Sequence, residues 1–522
     1  MTASDVRAAA PTAPPRAEPT AARPPRRWRD HGRLAGAFPP WVAAITAGGA
    51  VLRFAFLGRP PLTRDEAFTA LAVHRSLSTL LTVIAHDSAP PLSYLLQHAI
   101  VGVWGGNAGL RALSALAGTA AIPIAAALGR RLGGHRVGLW CAATVAVFPS
   151  LVLASRDARM YALATTLVLA STLAVWRLVE RPTWARAAVY GACTAGALAT
   201  NYFTAFAVVG QFAAVIVILR APAPARTRAL VAAAVAAVPL VPWLVYARAQ
   251  FAHGTSPFWV GGVGFSTISG VVVQFFSGPS LDQGIPGHAA LIALQAVVVV
   301  LGLASVAVLL ARWRTSAVAR RGIAFLAGCS LGGMVLLVAV SVWHPLVEAR
   351  YASVMWGPLV CVVGAGLAAV PWPRLAVGSI MVTGAAAVVL SLALTQPDTP
   401  ALARRLNERV ARGDVVAASP AAYLLLLHYG NAVARGETHI VAHDVPWYWG
   451  TAIFPPHAVL AQYPASSGTV YLVNVPGQPA ARRPPSSYEK DGPTRCYSTI
   501  CLSVYRPVSL TIVSPSGAPV AG

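Results

Sequence analysis

Charge is what this sequence has least of. Only 11% of its 522 residues are Asp, Glu, Lys or Arg, against 56% that are apolar. Lys490 is the single lysine, and the acids number 17. A soluble domain carries roughly 25% charged residues, so too few are present to cover a water-exposed surface. A soluble fold is excluded. Ala289 to Ala311 and Gly322 to Trp343 hold no charge at all. Each exceeds the roughly 20 residues a helix needs to cross a hydrocarbon core, and lipid leaves a spanning backbone no partner but itself.

Cysteine is also scarce, at six residues. Cys141, Cys193, Cys329 and Cys361 lie inside apolar runs and read as small fillers. Cys496 and Cys501 flank a polar stretch, and their spacing suits a disulfide loop if that end faces an oxidising compartment. No cleavable signal peptide and no internal repeat is evident.

Arginine is what the chain does have. The formal charge of +23 would suggest nucleic acid in a soluble protein. Here the arginines sit in short segments between apolar runs, the pattern of orientation signals and headgroup contacts. The expected partner is a lipid bilayer, not nucleic acid.

The apolar runs predict about eleven transmembrane helices, near 37–57, 110–128, 137–154, 160–177, 187–201, 203–219, 229–246, 289–311, 322–343, 351–370 and 375–394. Alternate loops concentrate arginine: Arg130, Arg131 and Arg136; Arg177, Arg181 and Arg186; Arg220, Arg226 and Arg228; Arg312, Arg314, Arg320 and Arg321. That asymmetry places the N-terminus in the cytoplasm and the C-terminus outside. Pro91 to Trp104 is apolar but too short to span, and reads as a juxtamembrane helix on the outer face, with a short span as the alternative. The expected fold is an all-α polytopic membrane protein with a small extracytoplasmic α/β domain. Its parts are a disordered cytoplasmic tail over 1–36, a membrane domain over 37–394 with a first external loop at 58–109, and the outer domain over 395–522. In that last segment Leu402 to Ala411 reads as an amphipathic helix, and GDVVAAS, TVYLVNV and CLSVYRP read as strands.

Polar residues recur on the predicted outer face. Arg64-Asp65-Glu66 follows the first span, where adjacent acids can supply a general base or ligands for a divalent cation, or simply start a helix. His86-Asp87 precedes Pro90-Pro91-Leu92-Ser93-Tyr94, a rigid polar corner or a plain loop end. Ser155-Arg156-Asp157-Ala158-Arg159-Met160-Tyr161 offers arginines that can clamp a phosphate, or an interfacial anchor. Glu348-Ala349-Arg350-Tyr351 offers the same choice between a phosphate contact and a local ion pair. An acid beside arginine clamps suits transfer from a lipid phosphate carrier: the anionic leaving group requires cations, and a hydroxyl acceptor requires a base.

In their order these motifs resemble the GT-C glycosyltransferases, in the branch of protein O-mannosyltransferases and aminoarabinose transferases. The matching residues are Asp65-Glu66, Pro90-Pro91-Leu92-Ser93-Tyr94, Gly129-Arg130-Arg131-Leu132, Ala158-Arg159-Met160-Tyr161-Ala162-Leu163, and Arg350-Tyr351 followed by Pro358. The resemblance implies an inverting transferase that moves a sugar from a polyprenyl-monophosphate donor to a glycan, lipid or protein hydroxyl. It implies Asp65 as the catalytic base with Glu66 beside it, and Arg159, Arg350 and Arg156 toward the donor phosphate. Arg64, His86, Asp87, Tyr94, Asp157, Tyr161 and Tyr351 join the substrate-binding candidates. No cofactor or metal is expected, although the oligosaccharyltransferase relatives need a divalent cation. The arginine-rich, lysine-poor composition looks actinobacterial, which suggests a mannose or arabinose-like donor for the cell envelope. The rival function is a transporter or flippase of a lipid-linked sugar. Transporters keep ionisable groups near mid-bilayer and show internal repeats, and the nearly uncharged spans favour the enzyme.

Overall fold

The structure, a computed structural model, describes residues 32–252, 260–279, 288–312, 317–393, 397–430, 438–464 and 468–508. The tail expected over 1–36 lies outside them as far as residue 31.

In chain order the first helices are α1 (Gly32–Phe54), α2 (Arg64–Val73), α3 (Leu77–Ala85), α4 (Leu92–Val101), α5 (Gly106–Val147), α6 (Pro149–Ala154) and α7 (Tyr161–Glu180). Next come α8 (Trp184–Thr200), α9 (Thr204–Val217), α10 (Ala223–Ala237), α11 (Leu240–Tyr246), α12 (Ala249–Ala252) and α13 (Phe265–Ser277). The membrane part closes with α14 (His288–Ala311), α15 (Ala317–Ser341), α16 (Ala349–Ala352), α17 (Trp356–Ala369) and α18 (Pro373–Ala393). Among the described residues, seven helices are long and apolar enough to cross a membrane. The protein is therefore a polytopic helical membrane protein. The eleven expected runs fall on helical segments; α1, α8 and α9 are not among those seven, and the two runs within α5 count as one of them.

Two of the expected spans are the arms of α5, which turns at Gly133 and Gly134. Gly134 has φ +81°, a backbone open to glycine and strained for other residues. The arms meet closely: a Cβ at Gly129 would lie 2.7 Å from Cys141 Sγ. α17 is buried over its whole length and packs against α5, α14 and α15. Small residues make this contact close, since a Cβ at Gly364 would meet the Cys141 backbone at 2.8 Å.

The C-terminal region pairs α19 (Thr399–Arg409) and α20 (Pro420–Tyr429) with seven strands: β1 (Val415–Ala418), β2 (Thr438–Val441), β3 (Val459–Leu460), β4 (Val470–Asn474), β5 (Tyr488–Lys490), β6 (Arg495–Tyr497) and β7 (Ile500–Pro507). The three expected strands fall on β1, β4 and β7. The sheet runs β3-β2-β1-β4-β7-β5, with β6 added to β7; β3, β2, β1 and β4 are parallel and β7 is antiparallel. All four residues of β1 are buried, as expected for a parallel strand covered on both faces. Cys496 and Cys501 sit opposite each other on β6 and β7 and form a disulfide.

This sheet region docks on the segment between α1 and α5. Leu424 of α20 and Ile453 pack with Phe68, Leu62 and Tyr94, and the Leu62 N–H donates to Tyr429 Oη at 3.0 Å. α7 has two chemically distinct ends. Tyr161 begins it beside Asp65, while Glu180 ends it, paired with Arg131 of the basic loops. A 20-residue helix spans about 30 Å, so the acidic cluster and the basic loops lie on opposite ends of one spanning element.

Candidate active site

α2 begins where the sequence supplies a complete cap. Thr63 Oγ1 accepts from the Glu66 N–H at 3.2 Å, and Glu66 Oε2 accepts from the Thr63 N–H at 2.9 Å. Asp65 and Glu66 thus stand in the first turn with their side chains on different faces.

The two acids then meet different fates. Glu66 is 1% exposed. Arg111 holds it with two bonds, Nε to Oε1 at 2.5 Å and Nη2 to Oε2 at 2.7 Å, and the Ala158 N–H adds a third at 3.1 Å. Arg111 also donates to the carbonyls of Leu57, Pro60 and Pro61. Glu66 is consumed by this knot, so adjacency in sequence misleads about a shared catalytic role.

Asp65 keeps a side chain 27% exposed. Its Oδ1 accepts from Arg64 at 2.5 and 2.8 Å, and its Oδ2 accepts from Arg350 Nη1 at 3.0 Å. Arg159 Nη1 reaches the Asp65 carbonyl, Thr69 Oγ1 and Tyr94 Oη at 3.2–3.5 Å. Burial alone would raise the Asp65 pKa; the guanidiniums of Arg64, Arg159 and Arg350 outweigh it and hold the carboxyl well below the usual range. Asp157 goes the other way. Burial, with Glu66 beside it, pushes its carboxyl up to about 8, and its buried Oδ1 has no hydrogen-bond partner among the described residues.

Two cavities meet at these side chains. The larger, about 770 Å³, is lined by Asp65, Arg159, Tyr161 and Arg350 together with Phe203, Tyr351 and the sheet-region loop Trp447 to Gly450. The smaller, about 310 Å³, shares Asp65, Arg159, Tyr161 and Arg350, and adds Asp157, Gln274 and Ser391. Asp87 lines the larger cavity and accepts from Tyr94 Oη at 3.4 Å.

Two candidates are engaged in other contacts. His86 is exposed, with Nδ1 against the Thr82 carbonyl at 2.8 Å, so it does not join the cluster. Arg156 directs Nη1 at the carbonyls of Leu52, Arg53 and Ala55 at 2.9–3.2 Å, where it satisfies the C-terminal end of α1. That use occupies Nη1, and the side chain also lines the smaller cavity.

The sequence reading missed three groups. Arg111 and the fully buried Arg53 lie in helices that read as spans, where a lone arginine at a run's end looks like an anchor. Arg53 donates to Ser155 Oγ and to the carbonyls of Gly49, Val145 and Ala146. The third is Trp449, whose ring lies 4.6 Å from the Arg64 guanidinium; a partner 385 positions away leaves no local signal. No group of three or more His, Cys, Asp or Glu able to hold a metal occurs among the described residues.

No protein-family model matches the sequence, and no curated protein matches it. Solved structures do match in fold. ArnT from Cupriavidus metallidurans, bound to undecaprenyl phosphate, is similar at a TM-score of 0.54 with 12% identity, over 90% of this chain and 98% of that one. The archaeal oligosaccharyltransferase AglB from Archaeoglobus fulgidus, in complex with an inhibitory peptide and a dolichol-phosphate, is similar at 0.52 with 11% identity, over 84% of this chain and 69% of that one. The chain has the fold of the GT-C glycosyltransferases, the family its ordered motifs resemble.

Proposed function

We propose that this protein is an inverting glycosyltransferase that moves a sugar from a polyprenyl-monophosphate carrier to a hydroxyl acceptor at the outer face of the cytoplasmic membrane. The observation that carries the reading is Asp65, one carboxylate among three guanidiniums where two cavities join. The neighbours' bound ligands support it, since ArnT was solved with undecaprenyl phosphate and AglB with a dolichol-phosphate.

The chemistry follows from charge. The acceptor O–H gives its proton to Asp65 as the oxygen bonds to the anomeric carbon. The bond from that carbon to the phosphate oxygen breaks, and the electron pair leaves on the phosphate. Arg159 and Arg350 meet the added negative charge, which preorganised cations stabilise through charge-assisted hydrogen bonds. Attack opposite the leaving group inverts the anomeric centre. The smaller cavity suits the carrier, because Ser391 and Gln274 come from α18 and α13, whose outer faces expose Leu392, Val388, Val272 and Val273 to lipid. The larger cavity, roofed by the sheet region, then receives the acceptor. Mannose and an arabinose-like pentose are the donor sugars to test.

The purified protein, given labelled polyprenyl-phosphate mannose or arabinose with envelope glycans and lipids, should release polyprenyl phosphate. Failure to bind or consume any such donor would refute the reading.

A further inference from the structure

The larger cavity has a wall that this chemistry does not use. Trp447 and Tyr448, both half-buried, face it from a 3-10 turn between β2 and β3. The turn is pinned to the helix that carries Asp65. Trp449, next in sequence and buried, stacks on Arg64 at 4.6 Å. Gly450 has φ +78°, and a Cβ there would lie 2.9 Å from the Phe68 ring. Only glycine allows so close an approach in that conformation, so the platform is held in register with Asp65. Phe203 and Tyr351, which also line the cavity, stack with ring centroids 4.3 Å apart and planes 9° apart, beside Arg350.

Resting on the proposed transferase reading, we infer that the acceptor is a carbohydrate whose ring packs on Trp447 and Tyr448, not a peptide or a simple lipid. A sugar ring carries C–H bonds on its faces and hydroxyls on its rim. The negative face of an aromatic ring attracts the C–H groups, which leaves a rim hydroxyl free to meet Asp65. A peptide added at a sheet edge would take main-chain hydrogen bonds, and the 3-10 turn Trp447–Trp449 is not a strand edge. A prenyl or acyl chain is matched by the lipid-facing apolar residues of the helices, such as Val300 and Leu303 of α14. The turn belongs to the sheet region, whose nearby surface carries exposed Arg482 and His443.

Binding to the full chain in lipid nanodiscs tests this with three probes: undecaprenyl phosphate, short mannose and arabinose oligosaccharides, and a Ser/Thr-rich peptide. Undecaprenyl phosphate should bind the wild type, Trp447→Ala and Tyr448→Ala alike, which also reports that the variants are folded. The wild type should bind at least one of the oligosaccharides, and each alanine variant should weaken that binding on the order of tenfold. Trp447→Phe should retain most of it. If undecaprenyl phosphate binds but no oligosaccharide does, or the alanine variants bind sugar unchanged, or the peptide binds in the sugar's place, the acceptor assignment is overturned while the donor reading stands. If undecaprenyl phosphate fails to bind the wild type, the donor reading falls and takes the acceptor assignment with it.

Discussion

Arg350 Nη1 donates to Asp65 Oδ2 at 3.0 Å, joining residues 285 apart in sequence. With Arg64 on Oδ1, each oxygen of the proposed base accepts from a guanidinium. A donor phosphate that drew Arg350 and Arg159 toward itself would free Oδ2 and raise the basicity of Asp65. Donor should therefore bind before acceptor.

The direct test of the base is Asp65→Asn, which keeps size and removes charge. Turnover should fall roughly 10²–10⁴-fold while donor binding survives, measured by sugar transfer alongside carrier binding. Near-normal transfer would make Asp65 a helix-start residue only.

Arg350→Ala should separate from it. Loss of a charge-assisted phosphate contact should cost about 1.5–3 kcal/mol in donor affinity. The same change removes one of the cations that depress Asp65, so the carboxyl pKa rises toward its ordinary value. The acid limb of the turnover profile should move to higher pH, and an unmoved limb would argue against contact with the reacting base.

Glu66→Gln should behave as a folding defect. It leaves Arg111, 3% exposed, without its counter-charge, and breaking a buried pair costs about 3–5 kcal/mol. A lowered melting temperature in detergent is expected, where Asp65→Asn should melt near the wild type.

Asp157 gives a pH signature in stability. Its carboxyl titrates near 8 when folded and near the ordinary aspartate value when unfolded. The folded state holds the extra proton, so its contribution is full below the unfolded pKa and is lost as pH rises to about 8. Melting temperature should fall over that window and flatten above it. Asp157→Asn should remove this component of the slope; an unchanged slope would assign the pH dependence to other groups.

Sidedness can be read from redox chemistry and reporters. Protein isolated with thiols blocked should show Cys496 linked to Cys501, as a domain facing an oxidising compartment allows. Reporter fusions after residue 134 should read as cytoplasmic and those after residue 400 as external. An external signal at 134 would reverse the orientation drawn from the arginine loops.

Composition by itself determined the membrane. With 11% charged residues and long uncharged runs, no water-exposed surface can be built, and the helices follow because lipid leaves the backbone no other partner. Short motifs also marked Asp65, Arg159 and Arg350, because charge at the end of an apolar run is visible locally. What the two neighbouring acids do was decided by tertiary structure alone. Glu66 is spent on Arg111, 45 residues away, and Asp65 is left to Arg64 and Arg350. Arg156 closes the end of α1, and Trp449 arrives from the sheet region. Those pairings depend on which helix ends converge, and convergence is set by packing between distant segments, which no local pattern of residues encodes.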